Sequence, residues 1–184
     1  MARPMTRTQL RSEVYVRLAE SSGFFLDAEI NQWLNDGVDD VALSVEPIIK
    51  TITINSMPNI VEYPVPDNVV SIKQAYYYNT VSTNWQKLTE TTFEDLFNAN
   101  PGWEDDRDTR PSRWYWQGDR MGLHPIPNVG VSGGIRLLIS ERPPEMTADT
   151  HFTGLPSWLD RAVVLYAVYR ARLKDRDEQR AAGA

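Results

Sequence analysis

The sequence predicts an α+β protein. An N-terminal helix pair and a long C-terminal helix form one helical module, with a small antiparallel β-sandwich or barrel-like module inserted between them. Three observations carry this expectation. Residues 27–45 repeat apolar side chains at helical spacing, and a second helical run occupies 158–179. Between them the hydrophobic period drops to two across roughly six or seven short segments separated by Gly, Pro and Asn. The expected division is 1–47 with 155–184 for the helical module and 48–154 for the β-rich one.

The first helix is expected over residues 8–21, with Leu10, Val14 and Leu18 on its apolar stripe and Arg11 and Arg17 on its exposed side. Ser21-Ser22-Gly23 closes it, Gly23 being suited to a left-handed cap. Phe24-Phe25-Leu26 is an apolar hinge short enough to favour an antiparallel helix pair. The second helix organises the chain. Ile30, Trp33, Leu34, Val38, Val41, Ala42 and Val45 make one stripe, Asp27 is placed to cap its positive end, and Pro47 stops it. Its other face holds Glu29, Asp36, Asp39 and Asp40 with no basic residue among them.

From Ile48 the pattern is that of strands. Ile48, Lys50, Ile52 and Ile54 alternate with Ile49, Thr51 and Thr53, and a turn at 55–59 suggests that 60–63 returns as the hairpin partner. Pro64 and Pro66 confine Val65 to a sheet edge. A longer strand is expected over 69–78, a short one over 85–88, and a brief helix capped by Thr91 or Thr92 through Phe93, Leu96 and Phe97. Residues 100–111 read as a mobile loop. Gly118-Asp119 joins 113–117 and 120–124 as a hairpin, Gly133-Gly134 turns the chain back, and 135–141 is the last strand.

After Pro156 and a candidate N-cap at Ser157, the terminal helix is apolar on nearly every side between Ala162 and Tyr169. Such a helix must be covered on every side. The two N-terminal helices cover one face, and a neighbouring subunit is the natural cover for the other. Trp33, Leu34, Val38, Trp158, Leu165, Tyr166 and Tyr169 are therefore the expected core and subunit-interface residues.

Composition narrows the function classes. The 184 residues are 41% hydrophobic and 24% charged, an ordinary globular balance, with net charge −6 and a pI near 5.0. That charge disfavours nonspecific nucleic-acid binding as the main activity. Residues 1–46 hold 4 basic and 8 acidic side chains, whereas residues 155–184 hold 6 and 4. The absence of cysteine excludes disulfides and thiolate chemistry. No apolar run reaches membrane-spanning length, and the basic start lacks the apolar stretch of a secretory signal, so no export by signal peptide is expected.

No catalytic constellation emerges, and no cofactor or metal site is expected. His124 and His151 stand apart from each other and from carboxylates at ligand spacing. Asp105, Asp106 and Asp108 lack the alternation and glycine of a calcium loop. Neither a nucleophile elbow nor a phosphate-binding Gly-rich loop is present. Trp114-Tyr115-Trp116, with Trp85 and Trp103, is either a stacking platform for sugars or bases or an aromatic core, and the core is the commoner use.

Four stretches together resemble the head-to-tail adaptor (connector, or head-completion) proteins of tailed bacteriophages. They are Asp27-Ala-Glu-Ile-Asn-Gln-Trp-Leu-Asn-Asp-Gly-Val-Asp-Asp-Val-Ala and Glu62-Tyr-Pro-Val-Pro-Asp-Asn-Val; then Arg110-Pro-Ser-Arg-Trp-Tyr-Trp-Gln-Gly-Asp-Arg-Met-Gly-Leu-His-Pro-Ile-Pro; and Leu155-Pro-Ser-Trp-Leu leading into 167–177. Each is a fold signature rather than a catalytic fingerprint. The resemblance implies a structural virion protein of the neck, made in the host bacterial cytoplasm. It implies a homo-oligomeric ring of about twelve copies beneath the portal protein, with a tail or second neck protein below. Double-stranded DNA would pass through the channel without sequence recognition, and no membrane is involved. The helical module would lie beside the portal and the β module toward the tail. Arg170, Arg172, Lys174, Arg176 and Arg180 are the expected portal-docking residues, and Asp36, Asp39 and Asp40 are candidates for an acidic lumen. The alternatives are a β-sandwich carbohydrate- or host-binding module of a phage tail and, third, a small tail hydrolase. Neither explains a terminal helix that is apolar all round.

Overall fold

In the computed structural model, residues 3–19 and 24–182 are described, with side chains as far as Arg176. The chain divides into two compact units, Met1–Ile48 with Arg142–Ala184, and Ile49–Glu141. The architecture is mixed α+β.

The helical unit contains α1 (Arg7–Leu18), α2 (Asp27–Val45) and α4 (Asp160–Ala182). A capping box starts α1: Gln9 N–H donates to Thr6 Oγ1 at 3.4 Å, and Thr6 N–H donates to Gln9 Oε1 at 2.9 Å. The helix ends at Ala19, a left-handed C-cap with φ 55°. Glycine is therefore not needed there, and the cap expected at Gly23 lies outside the described residues. The N-cap of α2 is Leu26 rather than Asp27. The acid that closes this end is Glu29, whose Oε2 accepts Leu26 N–H at 3.1 Å. That leaves the Asp27 carboxylate to accept Tyr15 Oη–H at 2.8 Å. Leu10, Val14, Ile30, Leu34, Val38, Val163, Val164 and Ala167 form the shared core, each at most 3% exposed. Each such aliphatic side chain contributes about 1.5–3 kcal/mol through burial.

Residues 142–154 pack with this unit rather than with the strands. Met146 is buried among the helices, and Arg7 donates to its carbonyl at 2.7 Å and to Asp149 Oδ1 at 2.9 Å. Arg11, expected on the exposed side, is largely covered, with Nη1 donating to Asn31 Oδ1 at 3.1 Å and lying 3.3 Å from Asp149 Oδ1. The attractive partner is distant in sequence, and no local pattern announces it.

The β unit holds two four-stranded sheets that share one core, without a closed barrel. Its strands are β1 (Ile49–Ser56), β2 (Glu62–Pro64), β3 (Val69–Asn79), β4 (Asn84–Lys87), β5 (Thr89–Glu90), β6 (Arg107–Asp108), β7 (Arg113–Gln117), β8 (Arg120–His124), β9 (Ile126–Pro127) and β10 (Val131–Glu141). The sheet orders are β1-β10-β3-β4 and β2-β8-β7-β5, with β6 and β9 as a separate pair. The expected hairpin between 48–54 and 60–63 does not form. The partner of β1 is β10, with Ile52 opposite Leu137, whereas β2 pairs with β8 at a sheet edge. Two short pairs, β5–β7 and β6–β9, are parallel, which departs from the all-antiparallel expectation.

Gly133-Gly134 is not a turn either. The strand β10 runs through it, opposite an irregularity between Ile54 and Ser56 where Ser56 Oγ accepts Val131 N–H at 2.9 Å. A Cβ on Gly134 would lie 2.9 Å from that same Oγ and 2.6 Å from Val131 Cβ, so glycine permits the close approach. Inside the sandwich, Ile135, Leu137 and Ile139 of β10 alternate inward onto Ala75, Tyr77, Trp114, Met121 and Leu123.

Residues 100–111 are anchored rather than free. Phe93–Ala99 is a helix (α3) capped by Thr92 Oγ1, which accepts Asp95 N–H at 3.0 Å. The chain then turns through a 3₁₀ element, Trp103–Asp105, that buries Trp103 with Leu96 and Tyr115 on the outer face of the second sheet.

Candidate functional site

The terminal helix α4 carries two different surfaces. It starts at Asp160, after a 3₁₀ turn at Ser157–Leu159, so Ser157 is not its cap. The buried Asp160 carboxylate holds this end in place, accepting Met5 N–H and Thr153 Oγ1–H, each at 2.9 Å. A negative group at the start of a helix is favoured by the dipole. The inner face is Val163, Val164, Ala167, Val168 and Ala171, all buried. Small residues let α2 approach closely: a Cβ on Gly37 would lie 3.1 Å from the ring of Tyr166.

The outer face is apolar and open. Trp158 is 65% exposed, Leu165 46% and Tyr169 60%. Leu165 and Tyr169 fall at i and i+4 on one side of the helix, with exposed Arg161 one turn before Leu165, and Trp158 stands in the 3₁₀ turn ahead of them. Of the residues expected at core or interface, Leu34 and Val38 are core, and Trp33 and Tyr166 are half-buried. Trp33 packs edge-on against Phe25, with centroids 5.8 Å apart.

Beyond Tyr169 the basic residues separate. Arg170, Arg172 and Arg176 are exposed, whereas Lys174 Nζ donates to Glu29 Oε1 at 2.7 Å and lies 5.8 Å from the centroid of Phe24. The hydrogen bond from Lys174, followed by that from Leu26 N–H, holds the Glu29 carboxyl below its ordinary range. Lys174 thus serves the fold. The side chain of Arg180 lies outside the described ones.

The acidic residues of α2 border a groove of about 470 Å³ lined by Gln32, Asn35, Asp36, Asp39, Arg142 and Glu145, among others. Asp36 accepts from Gln32 at 2.8 Å, Asp39 accepts from Arg142 at 3.4 Å, and Asp40 is exposed. Leu43, one helical step further, is 54% exposed. Sequence reasoning missed the groove because Arg142 and Glu145 reach it from the far side of the β insertion.

The aromatic residues are mostly structural. Trp114 points into the sandwich core. Tyr115, its neighbour on the opposite face, packs edge-on against Trp103 at 5.6 Å. The Tyr115 ring lies over Gly122 of the adjacent strand, where a Cβ would come within 2.1 Å of Cζ, and its hydroxyl donates to Glu62 Oε1 at 3.2 Å. Burial first, and then Glu62, push the Tyr115 phenol well above its ordinary range. Trp85 lies under the Arg136 guanidinium, 3.9 Å from the ring centroid, and Trp116 is exposed. These rings do not assemble into one open platform.

His124, which the sequence placed away from carboxylates, lies 3.2 Å from Asp106 through Nε2. His151 Nδ1 accepts Thr147 N–H at 3.3 Å. Among the described residues no group of three or more His, Asp or Glu is placed to hold a metal, and no helix is long and apolar enough to cross a membrane. A scan against protein-family models matches residues 5–184 to the family described as SU10 adaptor protein. No curated protein matches significantly.

Proposed function

The chain belongs to the SU10 adaptor protein family, structural proteins of bacteriophages, and from that premise we propose that it forms a ring of about twelve copies in the virion neck, linking portal to tail. Double-stranded DNA passes through the channel of the ring. The helical unit sits against the portal, with the exposed Arg170, Arg172 and Arg176 pairing with carboxylates of that partner, joined by Arg180; the β unit faces the tail. Synthesis takes place in the host bacterial cytoplasm.

The observation that carries the ring is the outer face of α4. Its inner face is already covered by α1 and α2, yet Leu165 and Tyr169 on its outer side, and Trp158 just ahead of it, remain open to water. Exposed apolar residues so grouped mark an interaction surface. Mass photometry with and without purified portal protein tests the proposal. The expected result is a discrete ring on the portal, and a chain that stays monomeric with portal present at micromolar concentration overturns it. Portal and major capsid genes beside this one would support the same assignment.

A further inference from the structure

We infer that the outer stripe of α4 in one copy docks on the acidic face of α2 in the next copy, so that the contact between subunits is head-to-tail. This rests on the ring proposed above and names both of its surfaces. The donor stripe is Arg161, Leu165 and Tyr169, whose apolar members are 46–60% exposed. The receiving face is Asp36, Asp40 and Leu43, at i, i+4 and i+7 of α2, beside the groove lined by Gln32, Asp39 and Glu145.

Three features select a second copy as occupant. The charges are complementary: a guanidinium stands on the stripe, and carboxylates stand on the face. The order of chemistry also matches, since on each helix the charged positions precede the apolar ones, Arg161 before Leu165 and Tyr169, and Asp36 and Asp40 before Leu43. Laid side by side in the same direction, Arg161 meets Asp36 and Asp40 while Leu165 and Tyr169 cover Leu43, over a span of about 12 Å. Finally, neither surface carries the charge opposite to its own: a two-fold contact of the stripe brings no carboxylate to Arg161, and one of Asp36, Asp40 and Leu43 brings no cation to the acids. A pair of unlike surfaces repeats from copy to copy and closes into a ring when the rotation permits. Asp36 and Asp40 are thereby assigned to a protein contact rather than to the channel wall.

The chain has no cysteine, so introduced thiols report contacts without background. Under mild oxidation, a mixture of Leu165→Cys and Asp40→Cys proteins should give disulfide-linked dimers, each protein alone should not, and a chain carrying both should give a ladder. Arg161→Glu should weaken assembly about tenfold, with recovery when Asp40→Lys is added and with unchanged circular dichroism throughout. Self-linking of Leu165→Cys without crossed links indicates a two-fold contact and overturns the inference. Wild-type rings that form while no crossed link appears overturn it too and leave the ring standing. If the wild-type chain forms no oligomer with or without portal, the ring itself falls. Asp40→Lys that slows DNA release but leaves assembly intact returns the acids to the channel and overturns the docking.

Discussion

The helical unit and the β unit solve the same problem of burial in opposite ways. In the β unit both faces of the second sheet carry buried rings, Trp114 covered by the sandwich and Tyr115 by Trp103, and the Tyr115 hydroxyl is held by Glu62. In the helical unit three helices share one core, while α4 and α2 leave Leu165, Tyr169 and Leu43 in water, and ion pairs such as Arg7–Asp149 and Lys174–Glu29 close the seams. The difference teaches where each unit can be altered. One closes over its aromatic rings; the other keeps apolar side chains open along its last helix.

Removing an aromatic anchor sharpens the contrast most. Trp103→Ala should cost about 3–5 kcal/mol, because a buried indole and its edge-on partners Tyr115 and Phe93 are lost together. Urea denaturation measures this, and a loss near zero would show that the outer cluster is ornamental. In the helical unit, Leu34→Ala should cost about 2–5 kcal/mol. Trp33→Ala should cost less than Leu34→Ala despite the larger ring, since Trp33 is only half-buried. The reverse order of the two midpoints would break the comparison of core and seam.

The units should also differ toward pH. The carboxyls of Glu29 and Asp149 are held below their ordinary values, the first chiefly by Lys174 and the second chiefly by Arg7. Their stabilisation is complete above the ordinary carboxylate range and is lost as pH falls through the lowered folded values, below about pH 4. The phenol of Tyr115 is raised by burial, so its contribution is complete below the ordinary tyrosine range, near pH 10, and is lost as pH climbs beyond it. Helical signal should therefore fail first in acid, and the tyrosine environment should change first in strong alkali. Thermal melts followed by far-ultraviolet and near-ultraviolet dichroism at each extreme would separate them. The smallest expected effect is that of Tyr169→Ser on the free chain, within about 0.5 kcal/mol. A large loss there would mean that the outer stripe already serves the isolated fold.

Local chemistry was legible in the sequence, and long-range pairing was not. The stripe of residues 27–45 gave α2, with its cap one residue too late at Asp27 in place of Leu26, and Gly118-Asp119 gave the β7–β8 hairpin, Gly118 having the positive φ of 61° such a turn requires. The strand partner of β1 was missed because a turn signal at 55–59 says nothing about a strand that arrives at the far end of the insertion. Gly133-Gly134 looked like a turn because a pair of glycines serves equally for a reversal and for a close approach between strands. Arg11 looked exposed because Asp149 lies far along the chain. For the candidate surfaces, Trp158, Leu165 and Tyr169 were named as core or interface residues because the terminal helix reads as apolar on nearly every side, whereas the groove beside Asp36 needed Arg142 and Glu145 to be brought back to α2. The basic tail was read as one group, and only Glu29 reveals that Lys174 is spoken for.

Both units are completed by their last segments, and this has a consequence for the newborn chain. The helices α1 and α2 leave the ribosome with Leu10, Val14, Ile30 and Leu34 uncovered and wait through synthesis of the entire insertion before α4 arrives, on the order of ten seconds at typical elongation rates. The central strand β10 likewise emerges after both of its neighbours, β1 and β3. A translation product that stops before β10 therefore lacks the closing strand, the closing helix and the outer stripe all at once, and one that stops after it still lacks the helix and the stripe. Incomplete chains are thereby left unfolded and bare, fit for proteolysis and unfit to enter a growing particle.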